Sequence, residues 1–232
     1  MSTPAGGAAR SRPAVPGPVR RERALLAAAL AAAGPGAATR CAGWSARDLA
    51  AHLVVRESRP DVPPGMLVPP LAFYSERVRR RTARSAAFDG LVERFRRGPP
   101  KFSPYALPGV DKNANAVEFF VHHEDILRAR SDWEPRDTSR ELEELLWRRI
   151  RIARFVLRKV HVEVTLVQPD GRSLRVSGGG RGGRGGPRGP VRVHGPVGEL
   201  VLWATGRRDV ARVRLTGPTD SVKTLTETGW SL

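Results

Sequence analysis

Near Arg158 the spacing of apolar residues changes from helical to strand-like, and that change restricts the chain to a helical part followed by a mixed one. Before it, over 139–157, Leu142, Leu145, Leu146, Ile150, Ala153 and Phe155 recur among Glu and Arg at helical spacing. After it, residues 161–167 (HVEVTLV) alternate, Pro169-Asp170-Gly171 makes a turn, and residues 173–176 return as a second strand. A third strand at 191–193, a buried helix over 196–205, a strand at 213–215 and a closing helix over 219–227 complete a small α+β module. The predicted class is therefore α+β, with a helical bundle over 19–157 and the module over 158–232, the latter carrying a Gly/Arg-rich loop at 178–190.

Residues 1–18 are Pro, Gly, Ala and Arg without periodicity and are expected to be disordered. The alanine-rich run over 19–33 predicts the first helix, stopped by Gly34-Pro35-Gly36. Arg20-Arg21 before that run superficially resembles a twin-arginine export signal, but Glu22 and Arg23 interrupt it and the run is mostly alanine. The first helix of a cytoplasmic domain explains it better. Ser45 is a natural N-cap for a helix over 45–58, with Asp48 at its third position, and Leu49, His52, Leu53 and Arg56 follow at helical spacing. The proline-rich stretch 60–70 reads as an extended connection, followed by helices over 71–85 and 88–97. A loop over 98–109 carries Phe102, Tyr105 and Leu107, aromatic and apolar residues that suit a pocket or packing on the bundle end. The next helix runs from about 115 to Trp133.

The formal net charge is +17, which suggests an anionic ligand or partner. Lysine occurs only at Lys101, Lys112, Lys159 and Lys223, and so uniform an arginine excess also follows from a GC-rich coding bias. The segment SGGGRGGRGGPRGP is similar to RNA-binding RGG segments but lacks stacking aromatics, which argues against a nucleic-acid partner. A single cysteine, Cys41, excludes an intramolecular disulfide framework and any Cys-based zinc finger. No apolar run reaches the ~18 residues that a membrane span requires.

The chemistry concentrates in NAVEFFVHHEDILRAR, residues 115–130. Glu118 and His122 are four apart, hence on one face of a helix with Cβ atoms roughly 6 Å apart. A carboxylate and an imidazole suit Zn²⁺ or another divalent first-row metal, and a third ligand must come from elsewhere. His52, sharing an inward face with Leu49 and Leu53, is the best donor. His123 points about 100° away from His122 and reads as a supporting or surface residue. Asp125 can orient an imidazole or pair with Arg128 or Arg47. Cys41 reads as a small residue at a helix connector whose approach to the metal stays open, and His161 and His194 as polar positions of a sheet. Arg56, Arg207 and Arg208 are candidates for holding an anionic substrate.

Trp44-Ser45-Ala46-Arg47-Asp48-Leu49-Ala50-Ala51-His52-Leu53 resembles the W-[ST]-x-x-D-L-x-x-H-L signature of the DinB-like, mycothiol-dependent maleylpyruvate isomerase superfamily of actinobacteria, and VEFFVHHED, residues 117–125, looks like its second motif. VEFFVHHED is closest to an uncharacterised metal-binding branch of that superfamily. The resemblance implies an N-terminal four-helix bundle binding a divalent metal, typically zinc, through His52, Glu118 and His122. It also implies a smaller C-terminal domain containing Gly195 to Trp203 and Gly206-Arg207. By analogy it implies a mycothiol-dependent isomerase or transferase acting on a small electrophilic substrate. A metal-binding or regulatory module without catalysis is the alternative.

Overall fold

Ser45 starts the helix that carries His52. Its hydroxyl accepts from the Asp48 N–H while the Asp48 carboxylate accepts from the Ser45 N–H, a reciprocal capping box. In the computed structural model, which describes residues 16–59, 69–107, 110–178 and 189–230, this helix is α2 (Ala46–Ser58). It follows α1 (Pro18–Ala33), which Gly34 ends with a φ of 81°, a conformation that favours glycine. The α1–α2 connector is tied down by an Ala38–Ser45 bridge and by the Arg40 N–H donating to the Asp125 carbonyl at 2.9 Å. Cys41 is thereby set beside the helix that carries His122.

Three more helices enclose the first core: α3 (Pro69–Ser85), α4 (Phe88–Arg97) and α5 (Val110–Leu127). Pro69 and Pro70, expected in the extended connection, instead begin α3, where a missing first-turn N–H costs no intrahelical bond. Residues 60–68 of that connection lie outside the described residues, as do residues 1–15 of the N-terminal extension. α1 packs on α4 and α5, and α2 on α3 and α4, around Leu26, Leu30, Leu49, Leu53, Leu91, Phe95 and Phe119. A single 3₁₀ turn, Pro104–Ala106, interrupts the loop before α5.

α5 ends at Leu127, six residues short of the expected end. Trp133 folds back over the Arg128 guanidinium at 4.5 Å, a contact that a continuing helix would carry away to another face. The expected single helix over 139–157 is α6 (Arg140–Arg149), then a 3₁₀ turn Ile150–Ile152, the short α7 (Ala153–Val156) and a 3₁₀ turn Leu157–Lys159. Ile150, Ala153 and Leu157 stay buried through these turns, whereas Phe155, expected inside, lies exposed beneath the Arg158 guanidinium.

The second core lies on a four-stranded sheet built from β1 (Glu163–Val167), β2 (Ser173–Gly178), β3 (Val191–His194) and β4 (Arg214–Thr216), in the order β2-β1-β3-β4. β1 and β2 form an antiparallel hairpin, β1 and β3 are parallel, and β3 and β4 are antiparallel. Val164 pairs with Val191 and Leu166 with Val193 on the buried face. α8 (Val197–Ala204) and α9 (Thr219–Glu227) supply Leu200, Leu202, Trp203 and Leu225 to this core. Residues 179–188 of the Gly/Arg-rich loop lie outside the described residues. The α+β reading thus holds at the level of a mixed chain with a small sheet.

α5 belongs to both cores. Ala116, Phe119 and Ile126 enter the first, while Phe120 and Val121, about 100° round the helix, enter the second. The junction with α8 is close: a Cβ at Gly198 would stand 2.8 Å from Phe120 Cζ. Because Phe120 is itself almost fully buried, Gly198→Ala is expected to destabilise the protein by about 1–3 kcal/mol through overpacking, read as a lowered urea midpoint.

Candidate metal centre

His52 on α2 and Glu118 and His122 on α5 converge. His52 Nε2 lies 3.0 Å and His122 Nε2 3.3 Å from the same carboxylate oxygen, Glu118 Oε1. One candidate ligand atom from each residue lies within 4.8 Å of the others. Tetrahedral bonds of about 2.0–2.1 Å separate neighbouring ligand atoms by about 3.3 Å, so the two short distances match those of ligands around one small ion. The imidazole rings are 5.2 Å apart and nearly perpendicular, and the Trp44 ring lies 5.1 Å from that of His52. Arg79, paired with Asp48 and Glu76, lies over Trp44 at 4.5 Å and clamps it there.

A second set of groups fixes the tautomer of His122. Its Nδ1 lies 2.9 Å from Asp125 Oδ2, and Asp125, fully buried, also accepts from Arg207 Nε at 3.0 Å and from the second Arg207 nitrogen at 2.8 Å. The Cys41 thiol donates to Asp125 Oδ2 at 3.1 Å. With the Nδ1–H donating to Asp125, Nε2 is the nitrogen that faces Glu118 and His52, and it becomes a metal ligand once its own proton leaves. Cys41, His122 and Asp125 also lie close enough together to hold an ion. There, however, the Arg207 guanidinium already supplies positive charge, bonded to Asp125 and 3.8 Å from Cys41 Sγ. A cation would have to displace it.

The charges of the three residues pull one another away from their ordinary values. Burial opposes charge on His122, but hydrogen bonds to Asp125, Cys41 and Glu118 outweigh it and hold its pKa well above the ordinary imidazole value. Burial lowers that of His52, a shift that its hydrogen bond to Glu118 only partly offsets. Glu118 titrates well below the usual carboxylate range: burial would raise it, but Arg56 and both imidazoles prevail. An anionic carboxylate and a neutral His52 are thus already in the state that a metal needs.

Arg56, expected at the substrate, lies at the edge of the cluster. Its Nε is 3.2 Å from Glu118 Oε1, another guanidinium nitrogen donates to Asn115 Oδ1, and its plane lies over the Tyr105 ring at 4.9 Å. Asn115 in turn donates to Glu57, which holds Arg23 in a bidentate pair. Arg207, also expected at the substrate, has two donors on Asp125 and so positions His122 from behind. Arg208 donates to the Leu225 and Thr226 carbonyls, away from the cluster. Phe102 is exposed and lines a separate cavity of about 450 Å³ between α2 and α4, not the mouth of the centre. His123, read as a supporting or surface residue, is buried and bonded to Glu22 at 2.8 Å. His161 is exposed, and His194 pairs with Thr216 on the sheet.

The residue that spacing alone could not settle is Asp125. Its three-residue offset from His122 was compatible with several partners, and the choice depends on Arg207, more than eighty positions away. Asp125→Asn is expected to weaken zinc binding by about 10–100-fold, measured by competition with a chromophoric chelator, because the imidazole loses the anion that orients it.

No protein-family model, curated protein or solved structure matches the chain. Among the described residues no helix is long and apolar enough to cross a membrane.

Proposed function

We propose that the chain binds one divalent metal, zinc being the ion best suited to its donors, through His52, Glu118 and His122, and uses it with a thiol cofactor. The reading is supported above all by the convergence of three ligand atoms from two helices at separations that suit a single tetrahedral ion. In this reading the chain is a cytoplasmic mycothiol-dependent isomerase or S-transferase acting on a small electrophilic substrate, as the resemblance of the 44–53 and 117–125 motifs implies. A three-ligand site leaves a fourth position open. When bound there, the metal would lower the pKa of the thiol and supply a thiolate nucleophile, for which the chain then needs no cysteine of its own.

The protein's residues do the remaining work. Asp125 accepts the Nδ1–H of His122 and so turns Nε2 toward the ion. Glu118 contributes the negative charge that a cation needs. Arg56, steadied by Tyr105 and Asn115, presents a guanidinium at the edge of the cluster where an anionic substrate group would be held. Arg207 acts through Asp125.

Calorimetric titration of the zinc-loaded full chain with mycothiol tests the proposal. Saturable binding is expected, with loss of binding after metal removal and recovery on reloading. Zinc retention without any thiol binding would favour the metal-binding module that does no chemistry. Thiol binding that is indifferent to the metal would overturn the proposed role of the centre.

A further inference from the structure

A groove of about 700 Å³ opens where the parallel strands β1 and β3 finish. Val167 and His194 are the last parallel pair, and the Gly195 N–H donates to the Val167 carbonyl as the final tie between the strands. Beyond it the two chains part. β1 turns through Gln168 to Arg172 into β2, whereas β3 passes through Gly195 and Pro196 into α8. Diverging connections at the carboxyl ends of parallel strands leave a crevice, the place where open sheets with such strands bind ligands. The volume lies within the usual range for small-molecule sites, about 300–1,000 Å³.

The lining has one sign. Gln168, His194, Arg212 and Arg214 surround the groove, and none of its lining residues is acidic. Among the described residues neither the Arg212 nor the Arg214 side chain pairs with a carboxylate. Arg212 lies over the Trp133 ring at 4.9 Å, and Arg214 stands opposite His194 in the β3–β4 register. The neighbouring acids are engaged elsewhere: Asp170 with Arg172, and Glu199 with Arg128 and the Arg212 N–H.

Gln168 supplies the built part of the site. Its side-chain carbonyl accepts from Arg172 at 3.4 Å, which fixes the other end of the amide as the NH₂ donor. That Nε2 is buried and has no hydrogen-bond partner among the described residues. A buried donor without an acceptor is costly, and because Gln168 lines the groove, a turn of its amide toward an acceptor held there would relieve it. His194 is secured at its Nε2 by Thr216 at 2.9 Å, so its ring forms a fixed wall.

We infer that this groove binds a small molecule bearing a phosphate or carboxylate group, with Arg212 and Arg214 as the charged clamp and the Gln168 amide as the buried donor. Charge-assisted bonds from two guanidinium groups suit either oxyanion. The site is independent of the metal centre and stands or falls separately from it.

Two-dimensional amide NMR of the full chain, titrated at constant ionic strength with inorganic phosphate and separately with malonate, tests the inference. A saturable shift of the Gln168 side-chain NH₂ and the Gly195 backbone amide is expected with at least one probe. Phosphate alone would mark a phosphorylated ligand, malonate alone a carboxylate, and both a site that reads the shared oxyanion. The Arg212→Gln/Arg214→Gln double variant, altered only at exposed positions, should weaken the response by at least about tenfold, since it removes both charged donors. An Arg148→Gln/Arg151→Gln variant removes equal charge from exposed positions elsewhere and should leave the response unchanged. No saturable shift with either probe, or equal weakening in both double variants, would overturn the site.

Discussion

Replacing His52, Glu118 or His122 by alanine is expected to strip the purified protein of a divalent ion that the unaltered chain retains at about one per molecule. In the proposed site each of the three would supply one of three protein ligands, so each loss should exceed the roughly 10–100-fold penalty that follows from disturbing a residue behind a ligand. Elemental analysis of metal-reconstituted protein gives the stoichiometry, and chelator competition gives the affinity. His123→Ala is the internal comparison. His123 is adjacent in sequence and also buried, but its Nδ1 is committed to Glu22, so its removal should leave the ion in place. If the three variants bind zinc as tightly as the unaltered chain, the cluster is a hydrogen-bonded assembly around Glu118 and nothing more.

Acid should weaken the same binding. The pKa of His122 stands well above the ordinary value, held up against burial by its hydrogen bonds to Asp125, Cys41 and Glu118, and ligation requires its Nε2 proton to leave. Below that pKa, each unit of pH should lower the apparent affinity by about tenfold for the one proton displaced. A pH-independent affinity across the acidic range would mean that the ion, if any, does not use His122.

The convergence of the candidate ligands was legible because two of them, Glu118 and His122, are four residues apart on one helix, a spacing that fixes a shared face before any tertiary contact is known. His52 followed from its inward position between Leu49 and Leu53. The groups around them were not legible. Asp125, Cys41 and Arg207 come from three separate elements, and only folding makes Asp125 the partner of His122 rather than of Arg128 or Arg47. The same holds for secondary structure. Capping chemistry at Ser45 and the alternation in residues 161–167, of which Glu163–Val167 forms the strand, are local and were legible, whereas α5 stops at Leu127 with Trp133 turned back over Arg128, a tertiary contact that local spacing does not announce. For His123 the reading as a supporting or surface residue could not choose between the two: its partner Glu22 lies on α1 and buries it, and helical spacing is silent on which neighbouring element will cover an outward position.

That buried ionic junction carries the largest expected effect on stability. Arg128, Glu124 and Glu199 are all almost fully enclosed. Arg128 Nε donates to Glu124 at 2.5 Å, its two terminal nitrogens hold Glu199 at 2.6 and 3.0 Å, and one of these also reaches the Val210 carbonyl at 2.7 Å. Glu124 is also bonded to Arg136, which continues to Glu22 and so to His123. Arg128→Met keeps much of the volume but, among the described residues, leaves Glu199 with only the Arg212 N–H and Glu124 with only Arg136. Removing one partner from a buried pair costs about 3–5 kcal/mol, since the remaining charge stays away from water without its counterion. With a slope of about 1–3 kcal/mol per molar urea, the midpoint should fall by at least about 1 M. The combined Glu124→Gln/Arg128→Met/Glu199→Gln variant leaves no stranded carboxylate at this junction and should recover part of the loss, which a simple packing defect at Arg128 would not allow. A single-variant loss below about 1 kcal/mol would instead mean that water reaches the guanidinium and screens the junction as it does a surface pair.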